Sequence, residues 1–309
     1  MISLKSLFDK IEDSRFEIAF INNTIDDVLN GKRLSFKRVK HEFTDRWFAD
    51  PFIIGVSYKQ HNDGRKIPDK IDLLVEDFRY SEKKAVISKV TVDANSMRIV
   101  RLKEVLRIRS HLSFPIYYKQ NDDNGKEHIY VYPENGSGYG LRLYEYLPED
   151  EIMKPLEIIS NRPLADTVLV RLFGKSMMLT TELPNPNGNL LKIFKKNDDG
   201  EYELFQTFQF PENIARGAGN ILFYNGHIYR PAQECNHTYG HAVCLQEILK
   251  NTDGSLNFKE VRRIVPPTFT FCYGIHTFNS YDGMIVTDFK YFSHPILGPV
   301  FYKLYSLYK

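Results

Sequence analysis

The sequence of 309 residues predicts an all-β fold, a single five-bladed β-propeller. Three observations support this prediction. A similar short phrase recurs at five points in the chain, each phrase is followed by further segments of alternating polar and apolar residues, and tight-turn residues separate these segments. The alternative repeat fold, an elongated β-solenoid, usually has shorter repeats than these.

The five phrases define the innermost strand of each blade, and they follow one another at steps of about 50 to 65 residues. The longest step contains a polar stretch at 59–70, which we interpret as an extended hairpin loop. The equivalent positions in the five phrases are Asp50, Phe114, Asp166, Ala218 and His276.

Second strands follow each phrase, and two of them are preceded by the hairpin signals Asn225-Gly226 and Asp282-Gly283. Third strands start near a glycine in four repeats, and a fourth strand closes most units. The predicted second strands are 71–78, 128–134, 176–182, 227–233 and 284–289. The predicted third strands are 84–90, 140–144, 188–194, 240–245 and 298–304.

The fifth unit reaches the end of the sequence after only three strands. We therefore expect the segment 15–21 to supply its outer strand and to close the ring, since this would remove free sheet edges. Residues 1–14 are expected to contain a short helix. No linker or composition change divides the chain, so residues 1–309 are predicted to form one domain.

Composition excludes several classes of function. The net charge is +2 and the basic residues are dispersed, which argues against nucleic-acid binding. No apolar run is long enough for a membrane span or a signal peptide, and three cysteines match no metal-binding spacing. We therefore expect a cytoplasmic protein without cofactor or metal. The only alternative metal set is Glu234, His237 and His241.

Polar residues stand at one end of the predicted innermost strands, where the strands of a propeller converge on an axial funnel. Asp50 and Asp166 are repeat-equivalent carboxylates, although each is also a residue type that caps strands and turns. A lone histidine such as His111 is more often structural. The remaining candidates on the first and second strands are Ser113, Arg216, His276, Glu76, Glu134, Arg230 and Gln233.

Four segments at these residues resemble a known family. They are 47–52, 111–115, 132–134 and 229–233, together with Tyr239-Gly240. Over about residues 40–305, the sequence resembles the propeller-like N-terminal domain of plant glucosamine inositolphosphorylceramide transferases. That domain is similar in fold to the five-bladed propellers of glycoside hydrolase family 43 and the levansucrase–invertase group.

The resemblance implies that Asp50 is a base or nucleophile and that Asp166 orients the substrate. The hydrolases place an acidic residue in a third position, where this sequence has Arg216, which cannot protonate a leaving group at neutral pH. Either Glu134 or Glu76 therefore supplies the acid from a neighbouring blade, or the reaction is not standard hydrolysis. Arg216 and Arg230 suit a phosphate or carboxylate on the ligand.

Two classes of function remain open. The first is a carbohydrate-active enzyme, a glycosidase or an enzyme of glycosyl transfer, that acts on a glycan or glycoconjugate. The second is a non-catalytic glycan-binding or scaffold propeller in polysaccharide or glycolipid biosynthesis. The aromatic content of 14% fits both, because aromatic side chains favour strands and line sugar-binding clefts.

Overall fold

The structure, a computed structural model, describes residues 14–61, 63–136, 140–267, 272–292, 294 and 296–300. It confirms the five-bladed propeller: five antiparallel sheets follow one another along the chain. The N-terminal elements are β1 (Ser14–Ile21), α1 (Ile25–Leu29) and β2 (Phe36–Arg38). Thr24 caps α1, because its side chain accepts a hydrogen bond from the Asp27 N–H and the Asp27 carboxylate accepts one from the Thr24 N–H.

Blades one and three are regular four-stranded sheets, paired in sequence order. Blade one consists of β3 (Arg46–Gln60), β4 (Lys66–Arg79), β5 (Lys84–Asp93) and β6 (Arg98–Leu106). The long β3–β4 pair contains the polar hairpin expected at 59–70. Blade three consists of β13 (Leu164–Leu172), β14 (Lys175–Glu182), β15 (Leu190–Lys196) and β16 (Tyr202–Gln209).

Blades two and four are interrupted near the axis. In blade two, β7 (Leu112–Ser113) pairs with β10 (Glu134–Asn135), and β8 (Tyr117–Asn121), β9 (Glu127–Val131), β11 (Leu141–Leu147) and β12 (Ile152–Ser160) form the main sheet. Pro115 and Pro133 lie at the two breaks, where proline cannot donate to a strand ladder. Blade four consists of β17 (Leu222–Tyr224), β18 (His227–Glu234), β19 (Ala242–Lys250) and β20 (Leu256–Ile264).

Blade five combines both ends of the described chain and corrects the predicted strand order. Its inner strand is divided into β21 (Cys272–Gly274) and β22 (Phe278–Tyr281), and both pair with β23 (Met284–Phe292). β1 pairs with residues 285–292 of β23, so the N-terminal segment takes the third place and β2 takes the outer one.

The predicted third strand at 298–304 is wrong in its described part, because residues 297–300 are helical. Pro299 has no N–H for a ladder, and a Cβ at Gly298 would lie 2.6 Å from the Phe292 Cβ. Residues 301–304 lie outside the described part of the chain. The short helix expected within residues 1–14 also lies outside it, apart from Ser14, which begins β1.

The apolar core lies between neighbouring blades. One cluster of buried side chains joins Phe52 of blade one, Phe114 of blade two and Val168 of blade three, and another joins Val243 of blade four to Phe289 of blade five. These contacts fix the position of each blade against the next one. None of the helices in the described part of the chain has the length and apolar character needed to cross a bilayer.

Three innermost strands share an unusual backbone feature at the positions aligned in the sequence. Asp50, Phe114 and Asp166 have positive φ angles of 48°, 47° and 43°. A left-handed conformation costs a residue other than glycine roughly 1–2 kcal/mol, and it persists only where surrounding contacts hold it. The recurrence of this conformation supports the repeat alignment independently of side-chain identity.

Candidate functional site

Carboxylates from adjoining blades hold the three left-handed residues. The Asp50 N–H donates to Asp288 Oδ2, the Phe114 N–H donates to Asp50 Oδ2, and the Asp166 N–H donates to Glu134 Oε2, each at 2.9 Å. Each bond joins one blade to the next. The strained backbone therefore orients Asp288, Asp50 and Glu134 at one end of the innermost strands.

Arg216 joins two of the predicted acidic residues. Its Nε lies 2.5 Å from Asp166 Oδ2, and its Nη2 lies 3.1 Å from Glu134 Oε2. Its Nη1 donates to Asn187 Oδ1 at 2.8 Å, and its guanidinium carbon lies 5.0 Å from the centre of the Tyr239 ring. The guanidinium thus has a partner on every nitrogen and a ring against its face.

Gln233 and Ser113 complete this side of the cluster. Gln233 Nε2 donates to Asp166 Oδ2 at 2.6 Å and to the Gly217 carbonyl at 2.8 Å. Ser113 is buried and stands opposite Glu134 in the β7–β10 pair. Asp166 therefore receives hydrogen bonds from two of the three blade four candidates, Arg216 and Gln233.

On the other side, His276 lies between two carboxylates. His276 Nδ1 lies 2.7 Å from Asp288 Oδ1, and its Nε2 lies 3.6 Å from Asp50 Oδ1. Asp288 also accepts hydrogen bonds from the His276 and Thr277 N–H groups. These bonds to a buried carboxylate fix the orientation of the imidazole towards Asp50.

Ligand atoms of Asp50, His276 and Asp288 lie within 4.8 Å of one another, so these residues offer a candidate set for a cation within the described chain. Asp288 already accepts hydrogen bonds on both oxygens. A cation bound there would have to displace some of them.

Glu76 and His111, both predicted from the sequence, form an ion pair beside Asp50, and the Glu76 charge acts on Asp50. The Ala85 N–H donates to His111 Nδ1, so the ring carries its proton on Nε2, which lies 3.1 Å from Glu76 Oε1. Burial lowers the pKa of His111, but the hydrogen bond and the charge of Glu76 outweigh it and raise the pKa above its usual value.

Burial sets the protonation of the two principal carboxyl groups. It raises the pKa of Glu134 to about 8 although the Arg216 charge opposes it. Burial, together with the charges of Glu76 and Asp166, holds the pKa of Asp50 well above its usual value. Glu134 is therefore a carboxyl group that keeps its proton near neutral pH, as a general acid must.

Arg230, expected here from the sequence, lies elsewhere. It is 1% exposed, and it donates to Gln246 Oε1 at 2.8 Å and to the carbonyl of Ala215. Burial lowers the pKa of this guanidinium. Its contacts hold the backbone just before Arg216, which places Arg230 behind the cluster.

Three participants were missed by sequence reasoning: Asp288, Tyr239 and Asn187. Asp288 could have been suspected from the sequence, because it is the one charged residue in the mostly apolar strand 284–289. Tyr239 stands between the two halves of the site, with its ring 5.4 Å from His276 and 5.0 Å from the Arg216 guanidinium. Asn187 lies in the loop between β14 and β15, and no pattern in the sequence indicated that it belongs to the site.

Close packing of the Tyr239–Gly240 turn against His276 gives a first prediction. Gly240 has a φ of 62°, and a Cβ there would lie 2.5 Å from the His276 Cβ. Gly226 has a φ of 79° and open space around it, so Gly226→Ala is the matched control. Gly226→Ala should cost about 1–2 kcal/mol of unfolding free energy from backbone strain alone. Gly240→Ala should cost more in chemical denaturation, and equal losses would contradict the packing argument.

The sequence was compared with known families and proteins. The model of the family described as "Glucosamine inositolphosphorylceramide transferase 1, N-terminal" matches residues 87–284. The chain belongs to this family. The match includes Glu134, Asp166, Arg216 and His276, whereas Asp50 and Asp288 lie outside it.

Curated relatives of the family are much longer than the segment they share with this chain. Glucosamine inositolphosphorylceramide transferase 1 of Oryza sativa subsp. japonica is 27% identical over 159 residues, which cover 49% of this chain and 20% of the rice protein. The Arabidopsis thaliana protein of the same name is 25% identical over 146 residues, 45% of this chain and 18% of its own length.

Several solved structures have a chain path similar to that of this protein. One is a β-xylosidase, with a TM-score of 0.47 and 12% identity, and the match covers 73% of this chain and 80% of the xylosidase chain. An exo-1,5-α-L-arabinanase from a bovine ruminal metagenomic library has a TM-score of 0.46 and 9% identity, and the match covers 79% and 93% of the two chains. A GH43 β-1,3-galactosidase has a TM-score of 0.45 and 12% identity, with 74% and 82% covered.

Proposed function

We propose that this propeller is a carbohydrate-active enzyme that makes or breaks a glycosidic bond of a glycan or glycoconjugate at its axial cluster. The axial cluster consists of the linked side chains of Asp50, Glu134, Asp166, Arg216, Gln233, His276 and Asp288. The observation that carries the proposal is the convergence of carboxyl groups from the first three blades, with burial raising the pKa of Glu134 to about 8. The family and its relatives are named as glucosamine inositolphosphorylceramide transferases, and a sugar in that name supports a carbohydrate ligand.

Glu134 is the proposed general acid. At neutral pH it carries a proton that it can give to the oxygen of the leaving group, and this supplies the carboxyl group that the Arg216 position lacks. The Arg216 charge would stabilise the carboxylate that remains after proton transfer, since Nη2 already lies 3.1 Å from Glu134 Oε2.

Asp50 is the proposed base. Its elevated pKa makes it a stronger proton acceptor than an ordinary carboxylate once it is ionised. The attacking group would be water in hydrolysis or a sugar hydroxyl in transfer. Asp166, held by Arg216 and Gln233, is the proposed orienting group.

One observation favours the second candidate, a non-catalytic glycan-binding or scaffold propeller. The side chains of Arg216 and Glu134 are only 11% and 12% exposed, and each catalytic candidate already joins two blades. A ligand that reached Glu134 Oε2 would have to move Arg216. Glycan binding without any product, measured by glycan array and mass spectrometry, would support this second candidate.

The proposal predicts a bell-shaped dependence of kcat/KM on pH. Turnover should fall about tenfold per pH unit above pH 8, because Glu134 then loses the proton that it must donate. It should also fall at low pH, where Asp50 becomes protonated. The measurement is initial rates across the pH range on any glycan found to be turned over.

A substrate with an activated leaving group provides the control. Such a leaving group departs without protonation, so Glu134→Gln should keep turnover on it and lose the alkaline decline. Glu149→Gln, at an exposed position, should retain the wild-type profile. An alkaline decline that survives in Glu134→Gln would assign it to another group and remove Glu134 from its role.

A further inference from the structure

A second cleft lies outside the axial cluster, between blades one and two. Its volume is about 560 Å³, which is within the range of small-molecule sites. We call it the interblade cleft. Its lining consists of residues 106–110, Asn135, Arg142, Tyr144, Met153 and Pro155.

The interblade cleft contains two arginines whose charge is not neutralised by a neighbour. Among the residues that the structure describes, Arg109 and Arg142 form no ion pair. Arg107, in contrast, binds the carboxylates of Glu82 and Glu104 at 2.5 and 2.8 Å. Those two carboxylates are therefore already bound.

The net charge around the interblade cleft is positive, because the nearby carboxylates are already bound by other cations. Lys84 Nζ points to the carbonyls of Ile108 and Arg109 at 3.3 and 3.4 Å and adds a further cation at the rim. Glu82 and Glu104 also bind Arg79, so each of these carboxylates is paired with more than one cation. An anion in the cleft would meet two guanidinium groups that can each bind it with two parallel hydrogen bonds.

The rest of the lining suits a sugar ring. The buried side chains of Leu106, Tyr144 and Met153 provide an apolar wall, against which the C–H face of a pyranose can pack. Ser110 and Asn135, joined by a 2.7 Å hydrogen bond, add polar atoms to the lining. A bare inorganic ion would leave the apolar wall unused.

The interblade cleft adjoins the axial cluster across one strand. Asn135 lines the cleft and directly follows Glu134 in β10. Because successive residues of a strand face opposite sides, the Glu134 side chain points to Arg216 while Asn135 points to the cleft. The two sites are therefore back to back.

We propose that the interblade cleft is a binding site for an anionic sugar residue, with a phosphate or carboxylate substituent held between Arg109 and Arg142. The choice of a saccharide rests on the proposed function, whereas the choice of an anion rests on the two arginines alone.

The test is isothermal titration calorimetry of the full chain with glucose 1-phosphate, glucuronate, glucose and inorganic phosphate, at low and high salt. Arg109→Gln and Arg142→Gln should each weaken binding of at least one of the two anionic sugars by about tenfold or more, and salt should weaken it in the wild type. Arg171→Gln is the matched control, because Arg171 is exposed on blade three and forms no ion pair with any described residue.

Arginine-dependent binding of glucose 1-phosphate assigns a phosphate site, and arginine-dependent binding of glucuronate assigns a carboxylate site. Binding that is unchanged in both variants, no binding of either sugar, or equally tight binding of inorganic phosphate overturns the proposal. Asp50→Asn separates this result from the proposed function. That variant should lose turnover but keep binding in the interblade cleft. If the wild type shows no turnover at all but binds an anionic sugar through Arg142, the proposed function fails and the cleft assignment stands.

Discussion

Substitution of Asp50 by Asn is expected to lower turnover of a glycan substrate by about 10²–10⁴-fold. An amide keeps an oxygen that can accept the hydrogen bond from the Phe114 N–H, so blades one and two stay joined. It cannot accept a proton from water or from a sugar hydroxyl. We therefore expect a loss of kcat with an intact fold, measured by initial rates and by the unfolding midpoint.

The matched control for this experiment is Asp45→Asn. Asp45 is an exposed carboxylate close in sequence, 2.8 Å from Arg46, and has no part in the axial cluster. Its replacement should leave rates within about twofold, since exposed ion pairs contribute little. If Asp50→Asn turns over substrate as fast as Asp45→Asn does, the protein is not an enzyme of the proposed kind.

The sequence contained enough information for the repeat and for most of the site. Asp50 and Asp166 were aligned because similar phrases surround them, and their shared left-handed φ shows that the alignment follows the backbone. Glu134 was recognised because it follows Pro133 at the end of a strand. Local patterns of this kind are visible in a sequence because they depend on a few consecutive residues.

Contacts between residues far apart in the sequence could not be predicted in the same way. The sequence around Asp288 does not show that its carboxylate binds the N–H of Asp50, which is 238 residues away in the sequence. The inward position of Tyr239 depends on the turn at Gly240, and the third place of β1 depends on its pairing with β23. Such features follow from the closed packing of blades, which no single segment encodes.

The carboxyl groups of Asp50 and Glu134 have a structural role and a proposed catalytic role, and these two roles conflict. As acceptors for the N–H groups of Phe114 and Asp166, Asp50 and Glu134 hold strained backbone in place. As catalytic groups they must change protonation state during each turnover. Both roles are compatible if one carboxyl oxygen accepts the backbone hydrogen bond and the other oxygen takes part in proton transfer. For Asp50 that oxygen is Oδ1, which faces His276 at 3.6 Å.

Arg216 is the group whose loss should cost the most stability. Replacement by Met is expected to lower the free energy of unfolding by about 3–5 kcal/mol, because buried carboxyl groups lose their cation. Arg263→Met is the control, since Arg263 binds Glu212 and Glu260 at the surface and its loss should cost about 1 kcal/mol or less for each pair. Chemical denaturation at neutral pH provides the comparison.

The pH dependence and a triple variant identify the cause. In the wild type, ionisation of Glu134 costs stability as pH rises from 4.5 to about 8, because its pKa is higher in the folded chain. Without the Arg216 charge this pKa rises further, so the deficit of Arg216→Met should grow above pH 8. Adding Asp166→Asn and Glu134→Gln should recover most of the loss, because no buried charge is then left without a partner. A triple variant as unstable as Arg216→Met would show that the packing of Arg216 against Tyr239, and not its charge, stabilises the centre of the propeller.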